Sequence, residues 1–372
     1  MKKNIFKDIR TLIFKNENNH LNIGGDRKKA IENFLAKPSF RTATNLFNSI
    51  RVHHKKHTIF KLMSDLKLYE DGFKDILPDH REHYLHSASV YVLGLAIYNS
   101  SEKIRNSLDI NRGQYWGEDE QKELFQFRWA LTACLHDIAY PLEIALKSLN
   151  NYAELLHDSG INFINIDPNI YYNLAPLEPD QSVNLTERKD SIKLIADNII
   201  FKKNKLNTKI NSDGLFTLLR EHLDKNLSEG RIDHGVLSAL ITMKHIHKLY
   251  KDNGWDMGDF DFHVVESATA IFLHNTYKHS GMIDIFGTGK YYHDQPSPLG
   301  FLLFLCDTLC EWSRGKVKDA IFYGITVKED NNIIMKVPRN KEDKLKKDLI
   351  IIDPAIPVKI VSRWPKNKSI KK

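Results

Sequence analysis

Cysteine is scarce in this sequence, with three residues in a chain of 372. All three, Cys134, Cys306 and Cys310, lie inside apolar stretches with helical spacing. This setting favours reduced core thiols over a disulfide framework or a zinc knuckle, and it indicates a reducing cytoplasm.

Long apolar runs are also missing. The longest candidates, Val90–Tyr98 and Leu299–Cys306, are far shorter than the roughly 18 residues that a membrane span requires. The first ten residues, MKKNIFKDIR, lack the apolar core and the cleavage site of a signal peptide. We therefore expect a cytoplasmic protein with no membrane partner.

The charge balance is basic, with a formal net charge of +7 at pH 7. A positive protein attracts anionic partners such as nucleotides or nucleic acid. However, the lysines are spread along the chain and alternate with acidic residues, so a solvated lysine-rich surface also explains the charge. The hydrophobic content of 42% is enough for a sizeable core in one large domain or two ordinary ones.

Helical periodicity covers most of the chain, and its texture changes after Lys316. The stretches Asp26–Ala36, Thr42–Ile50 and Thr58–Leu77 predict helices near the N-terminus, whereas the polar stretch Asn99–Glu120 predicts a loop. After Lys316, segments rich in valine and isoleucine predict three or four strands: AIFYGITV, NIIMKV, LIIID and VKIVSRW. We therefore expect a mainly α fold with a small C-terminal β element.

Three regions follow from this reading. Residues 1–80 form a helical extension, residues 81–316 form the main helical domain, and residues 317–372 form a β-rich region with a basic tail. Within the main domain, residues 150–180 contain several prolines and read as an irregular insertion. Such an insertion could serve as a lid over a site or could be a surface excursion.

The most unusual stretch is Phe127–Leu149, where the adjacent pair His136–Asp137 interrupts an apolar helical run. A buried polar group needs a partner, and a metal ion would be one. His136 offers a neutral ring nitrogen, and the two oxygens of Asp137 can bridge two cations about 3.5 to 4 Å apart. Pro141 fits the first turn of a helix, so one helix should end near this pair and another should begin at the proline.

Other polar residues occupy similar apolar helices. His83 and His86 are three residues apart and share a helix face. Asp307 lies in an almost wholly apolar helix, where an ionised carboxylate needs a cation or a hydrogen-bond donor. His234 follows Asp233, which is well placed to cap the next helix.

A fifth helix, Val264–Asn275, ends with His274 and its neighbour Asn275. For any one of these histidines taken alone, a hydrogen bond to a backbone carbonyl is the simpler explanation. The proposed site depends on several of them acting together.

In chain order, five short motifs resemble those of the HD-domain metal-dependent phosphohydrolase superfamily. They are HSASV at His86, LHDIAYP at His136, DHG at His234, FLHN at His274 and LCDTLCEW at Asp307. The resemblance covers roughly Arg81 to Lys316 and implies an HD-domain-like helical bundle. It also implies two divalent ions, the first held by His86, His136, Asp137 and Asp307, and the second by Asp137, His234 and His274.

Mixed nitrogen and oxygen ligands suit Mn²⁺ or Fe²⁺, with Mg²⁺ or Zn²⁺ as alternatives. The expected catalytic residues are Asp137, His83 and Lys244, with His83 either supporting the ligands or acting as a general acid. Lys244, Arg314 and Lys316 are candidate phosphate contacts, although a surface cation is the simpler explanation for each one taken alone.

The resemblance implies a phosphohydrolase or phosphodiesterase that acts on a nucleotide-like phosphate ester through a metal-activated water. Two alternatives stay open at this stage. One is a metal-dependent nuclease on single-stranded nucleic acid, and the other is a non-catalytic module that senses a nucleotide.

Overall fold

The fold was obtained as a computed structural model, which describes residues 5–14, 20–53, 59–73, 82–109, 118–145, 170–177, 189–203, 211–229, 232–276, 297–314, 322–352 and 357–362. The protein is mainly α-helical with a small β element near the C-terminus, as the sequence predicts. Within the described residues, none of the helices combines the length and the apolar character needed to cross a membrane.

The N-terminal half contains eight helices in the described part of the chain. Their bounds are α1 Ile5–Phe14, α2 Gly25–Ala36, α3 Phe40–His53, α4 Lys61–Phe73, α5 His83–Ser100, α6 Glu102–Asp109, α7 Glu118–Leu135 and α8 140–145.

The remaining elements include a π-helical turn, a 3₁₀ turn and three strands. Their bounds are α9 Ile170–Leu174, α10 Ser191–Lys203, α11 Ser212–Ser228, α12 His234–Asp252, α13 Met257–Asp259, the π-helical turn Phe260–Val264, α14 Val265–Thr276, α15 Pro298–Leu309, the 3₁₀ turn Glu311–Arg314, β1 Gly324–Val327, β2 Ile333–Val337, α16 Arg339–Asp348 and β3 Val358–Ser362.

Five helices, α5, α7, α12, α14 and α15, form the centre of the molecule. Helix α5 packs against α7 and α15, and α14 packs against α7, α12 and α15. Helix α5 is buried from His83 to Asn99, which explains why its sequence is apolar all round rather than amphipathic. It approaches α7 closely at Gly94, where a β-carbon would come within 1.9 Å of the Trp129 ring.

The predicted loop Asn99–Glu120 is wrong over part of its length, because α6 occupies Glu102–Asp109. Ile104 and Leu108 are buried and four residues apart, so they present one apolar face to the core. Ser101 caps this helix by accepting a hydrogen bond from the backbone N–H of Ile104. Two buried residues in a polar context were too weak a pattern to reveal the helix.

The C-terminal β element is a three-stranded sheet in the order β1-β2-β3. Strands β1 and β2 form an antiparallel hairpin, and β2 pairs with β3 in parallel. Parallel neighbours need a crossover connection, and α16 provides it.

The predicted strand LIIID is wrong at residues 349–352, which form turns and an isolated bridge after α16. The lysine-rich stretch before it forms α16. Only Leu345 of this helix is buried, so the sequence shows no apolar periodicity that would predict it.

Helix α1, at the N-terminal end, packs against both α5 and strand β1. The side chain of Asn99 donates to the backbone carbonyls of Leu12 and Ile13 and accepts from the N–H of His20. The Oδ2 atom of Asp8 accepts a hydrogen bond from the backbone N–H of Ile325. Contacts therefore cross the predicted limits at residues 80 and 316, and the three-region division stays a prediction.

Of the predicted irregular insertion 150–180, the structure describes only residues 170–177, which include α9. The rest of that stretch and the predicted basic tail Lys366–Lys372 lie outside the described residues.

Candidate metal centre

The pair His136–Asp137 lies in a turn between α7 and α8. Helix α7 ends at Leu135, and residues 136–139 form a turn before α8 begins at residue 140. Pro141 lies in the first turn of α8, where its missing N–H costs no helical hydrogen bond. The predicted helix break is therefore confirmed, and it releases both side chains from the regular helix geometry into the buried centre of the bundle.

A first triad consists of His86, His136 and Asp307, which come from α5, the end of α7 and α15. One ligand atom from each lies within 4.8 Å of the other two. The closest pair is His86 Nε2 and Asp307 Oδ1, at 2.8 Å. All three residues are buried.

A second triad consists of Asp137, His234 and His274, which come from the turn after α7, the start of α12 and the last turn of α14. Their ligand atoms also lie within 4.8 Å of one another. Asp233 caps α12 by accepting from the backbone N–H groups of Gly235 and Val236, as the sequence predicts. This cap fixes His234 in the first turn of the helix.

Asp137 belongs to the second triad and also borders the first, because its two carboxylate oxygens face different triads. Its Oδ2 is 3.2 Å from His136 Nε2 and 3.9 Å from His86 Nε2. Its Oδ1 is 3.4 Å from His234 Nε2 and 3.9 Å from His274 Nε2. This is the arrangement that a carboxylate bridging two cations would adopt.

Two of the four triad histidines are anchored by their own helices. The Nδ1 of His136 is 3.0 Å from the Ala133 carbonyl, and the Nδ1 of His274 is 2.6 Å from the Ile271 carbonyl. A carbonyl only accepts, so each Nδ1 carries a proton, and in the neutral ring Nε2 is then the nitrogen left to face the site. This is the tautomer that binds a metal.

The other two histidines use side-chain anchors. Ser313 Oγ donates to the Cys310 carbonyl and lies 2.7 Å from His86 Nδ1, so the hydroxyl accepts from that ring. Glu143 Oε2 lies 2.6 Å from His234 Nδ1. Thus in all four histidines Nδ1 is occupied and Nε2 points at a carboxylate.

The ligand atoms and their separations fit divalent cations. With Nδ1 donating to Ser313, the contact of 2.8 Å between His86 Nε2 and Asp307 Oδ1 requires either a proton on Nε2 or a cation that both atoms bind. His136 Nε2 is buried and makes no hydrogen bond of acceptable geometry in the part of the chain that the structure describes. Ligands about 2.1 Å from one ion lie about 3.0 to 3.4 Å apart, a range that the contacts of Asp137 approach.

Burial and charge act on the titration of these groups. Burial opposes ionisation of Asp137, but its interactions with His136 and His83 outweigh burial and hold its pKa well below the usual range. Burial, with the positive charges of His136 and His234, lowers the pKa of His274 to about 4. The carboxylate is thus ionised and His274 is neutral near pH 7, the forms that bind metal.

His234 differs from His274 in its protonation. Burial opposes its charge, but the hydrogen bonds that it donates to Asp137 and Glu143 outweigh burial and raise its pKa to about 10. A cation that binds at Nε2 must therefore displace a proton from this ring.

The structure also brings His83 to the centre. Its Nδ1 lies 2.8 Å from Asp137 Oδ2, and its ring packs on Tyr140 with centroids 3.6 Å apart. Burial lowers its pKa to about 4. The neutral ring therefore donates from Nδ1 to the bridging carboxylate.

Lys244 is not brought to this centre. It lies ten residues after His234 on α12, which is about 15 Å along the helix axis. Its Nζ donates to the backbone carbonyl of Asn173, 2.7 Å away, and so contacts the end of α9. Arg314 is the last residue of the 3₁₀ turn, and Lys316 lies outside the described residues.

Glu143 and Ser313, the two side-chain anchors, are absent from the sequence prediction. They lie 91 and 227 residues from the histidines that they contact. Neither belongs to the motifs on which the six candidate ligands were assigned, although Ser313 directly follows LCDTLCEW.

No protein-family model, curated protein or solved structure matched this chain in the comparisons.

Proposed function

We propose that this chain is a metal-dependent phosphohydrolase or phosphodiesterase of the HD-domain type, acting on a nucleotide-like phosphate ester. The observation that supports it most is the position of Asp137, whose two oxygens lie 3.2 Å from His136 Nε2 and 3.4 Å from His234 Nε2. Hydrolytic sites with two metals require a bridging ligand of this kind. The motif resemblance supplies the reaction class and the nucleotide-like substrate.

Divalent ions bound at such a site lower the pKa of a water ligand and offset charge on the phosphoryl oxygens. The chain's own residues would do the rest. The Nδ1 anchors keep each imidazole in the metal-binding tautomer, and His83 orients Asp137 by donating to Oδ2. Burial of the ligands excludes bulk water, which strengthens every charge interaction in the site.

The test is turnover by purified protein incubated with Mn²⁺ and a panel of phosphate esters. The panel contains nucleotides, cyclic nucleotides, cyclic dinucleotides and single-stranded oligonucleotides. We expect metal-dependent release of phosphate or cleavage of a phosphodiester, and we expect Asp137→Asn to lower that rate by at least about 100-fold because the bridge loses its charge. Cleavage confined to the oligonucleotides would identify the nuclease alternative.

Asp252→Asn is the matched control, because this aspartate lies at the exposed end of α12 beside Lys248. It should retain the wild-type rate. Circular dichroism of both variants verifies that they are folded. Absence of metal-dependent turnover on the whole panel, or an undiminished rate in Asp137→Asn, would contradict the proposal.

A further inference from the structure

The anchors of the four triad histidines are not chemically equivalent. His136 and His274 donate from Nδ1 to backbone carbonyls, and His86 donates to the Ser313 hydroxyl. These three acceptors are neutral. His234 donates instead to the Glu143 carboxylate, at 2.6 Å. A charged acceptor makes the stronger hydrogen bond and increases the basicity of the opposite ring nitrogen.

Glu143 fixes the backbone of His234 as well as its ring. The same Oε2 atom accepts from the backbone N–H of His234 at 3.0 Å. That N–H is at the N-terminus of α12, where a negative charge is favourable. One carboxylate oxygen therefore sets both the position of the residue and the rotation of its ring.

The two triads also differ in charge and exposure. The first triad contains a carboxylate that the second does not share, Asp307, and its side chains are at most 8% exposed. The second has only the shared carboxylate of Asp137, and the His234 side chain is 15% exposed. A subsite with fewer negative ligands and more access to water binds a cation less tightly. The charge of Glu143, 30% exposed, compensates for part of this difference.

We infer that Glu143 is a positioning residue that sets the cation affinity of the second triad, so that the two triads fill in order, the first before the second. This inference rests on the proposed function, because it takes both triads to be cation sites. Glu143 acts through His234 and is not itself a ligand. It makes occupancy of the second triad the step at which this chain would respond to the concentration of available metal.

The test is calorimetric titration with Mn²⁺ of protein that has been stripped with a chelator and dialysed. Wild-type protein should bind two ions per chain in two steps of different affinity. Glu143→Gln keeps a side chain of the same size but removes the charge, so the second step should weaken by about 10- to 100-fold while the first is unchanged. Ser313→Ala should weaken the first step instead, since that hydroxyl anchors His86.

Glu221→Gln, a change of the same kind at an exposed position on α11, is the control and should leave both steps unchanged. A thermal melt of each stripped protein separates misfolding from altered binding, and Glu143→Asp serves if the glutamine variant is unstable.

Two ions per chain with an unaltered second step in Glu143→Gln would overturn the inference and leave the proposed function intact. Equal weakening of both steps would also overturn it, because the effect would not be specific to one triad. A wild-type protein that binds no ion would overturn the proposed function together with the inference.

Discussion

The three cysteine side chains are free and buried. A thiol reagent reacts with the thiolate and must reach the sulfur, so buried thiols in an apolar setting are inert. We expect an aromatic disulfide reagent at pH 8 to modify none of Cys134, Cys306 and Cys310 in the native protein. In guanidinium chloride all three should react, at a rate that follows unfolding. Rapid modification of one thiol under native conditions would contradict this burial.

At the residue scale, the sequence marks the residues of the two triads more clearly than the residues that anchor them. A histidine or aspartate inside an apolar helix, such as His136 or Asp307, stands out because it needs a buried partner. Glu143 does not stand out, since a glutamate on a short, partly exposed helix is ordinary and its contact with His234 depends on the tertiary fold. Lys244 gives no such signal, and the fold places it about 15 Å along α12 from His234, in contact with the Asn173 carbonyl.

Among the secondary-structure elements, α6 depends on a residue from the distant β1–β2 turn. Asn331 has a φ of +62°, and its Oδ1 accepts hydrogen bonds from the Ser101 hydroxyl and from the backbone N–H of Lys103, each at 3.1 Å. Asn331 thus has a left-handed backbone and also caps a helix. Asparagine and aspartate suit both roles better than most other residues.

Substitutions at this position separate the two contributions. Asn331→Gly should lose about 1 kcal/mol of unfolding free energy, because the cap is lost but the backbone is not strained. Asn331→Ala should lose about 2 kcal/mol, since it adds left-handed strain. Asn331→Asp keeps the oxygen acceptor and should stay close to wild type. Urea unfolding measures all three, and equal stability of the alanine and glycine variants would argue against the strain.

The same elements show how far local pattern reaches. The long apolar helices and the strands β1, β2 and β3 were predicted because their hydrophobic residues recur at helical or strand spacing. Helices α6 and α16 were missed because each buries at most a few side chains, such as Ile104 or Leu345, and their remaining residues are polar. Their helical state depends on partners elsewhere in the chain, which single-sequence periodicity does not contain.

Across the whole molecule, the C-terminal element is tied to the helical centre through Glu311. This buried carboxylate contacts Lys341 at 3.3 Å and Lys344 at 2.9 Å, both on α16. It lies in the 3₁₀ turn that also carries Ser313, the anchor of His86. The packing of α16 and the geometry of the first triad therefore share one short segment.

Replacing both lysines with methionine should lower the unfolding free energy by about 1.5 to 3 kcal/mol, because a buried carboxylate loses two charged donors. Lys248→Met, which removes one exposed ion pair with Asp252 on α12, should cost at most about 0.5 kcal/mol. Guanidinium unfolding of the three proteins checks this. A double variant no less stable than Lys248→Met would show that Glu311 does not depend on these lysines.

The position of α1 has a consequence for folding during synthesis. Its apolar residues Ile5, Ile9 and Ile13 pack in the core, and Asp8 contacts Ile325, 317 residues later. At about 5 to 20 residues per second, a ribosome needs roughly 15 to 60 s to make the chain between them. Helix α1 can meet α5 early in that interval, but its contact with the sheet must wait for translation of the final strands. Until then the surface of α1 that packs on strand β1 stays uncovered in the nascent chain, and chaperones bind apolar surface of this kind.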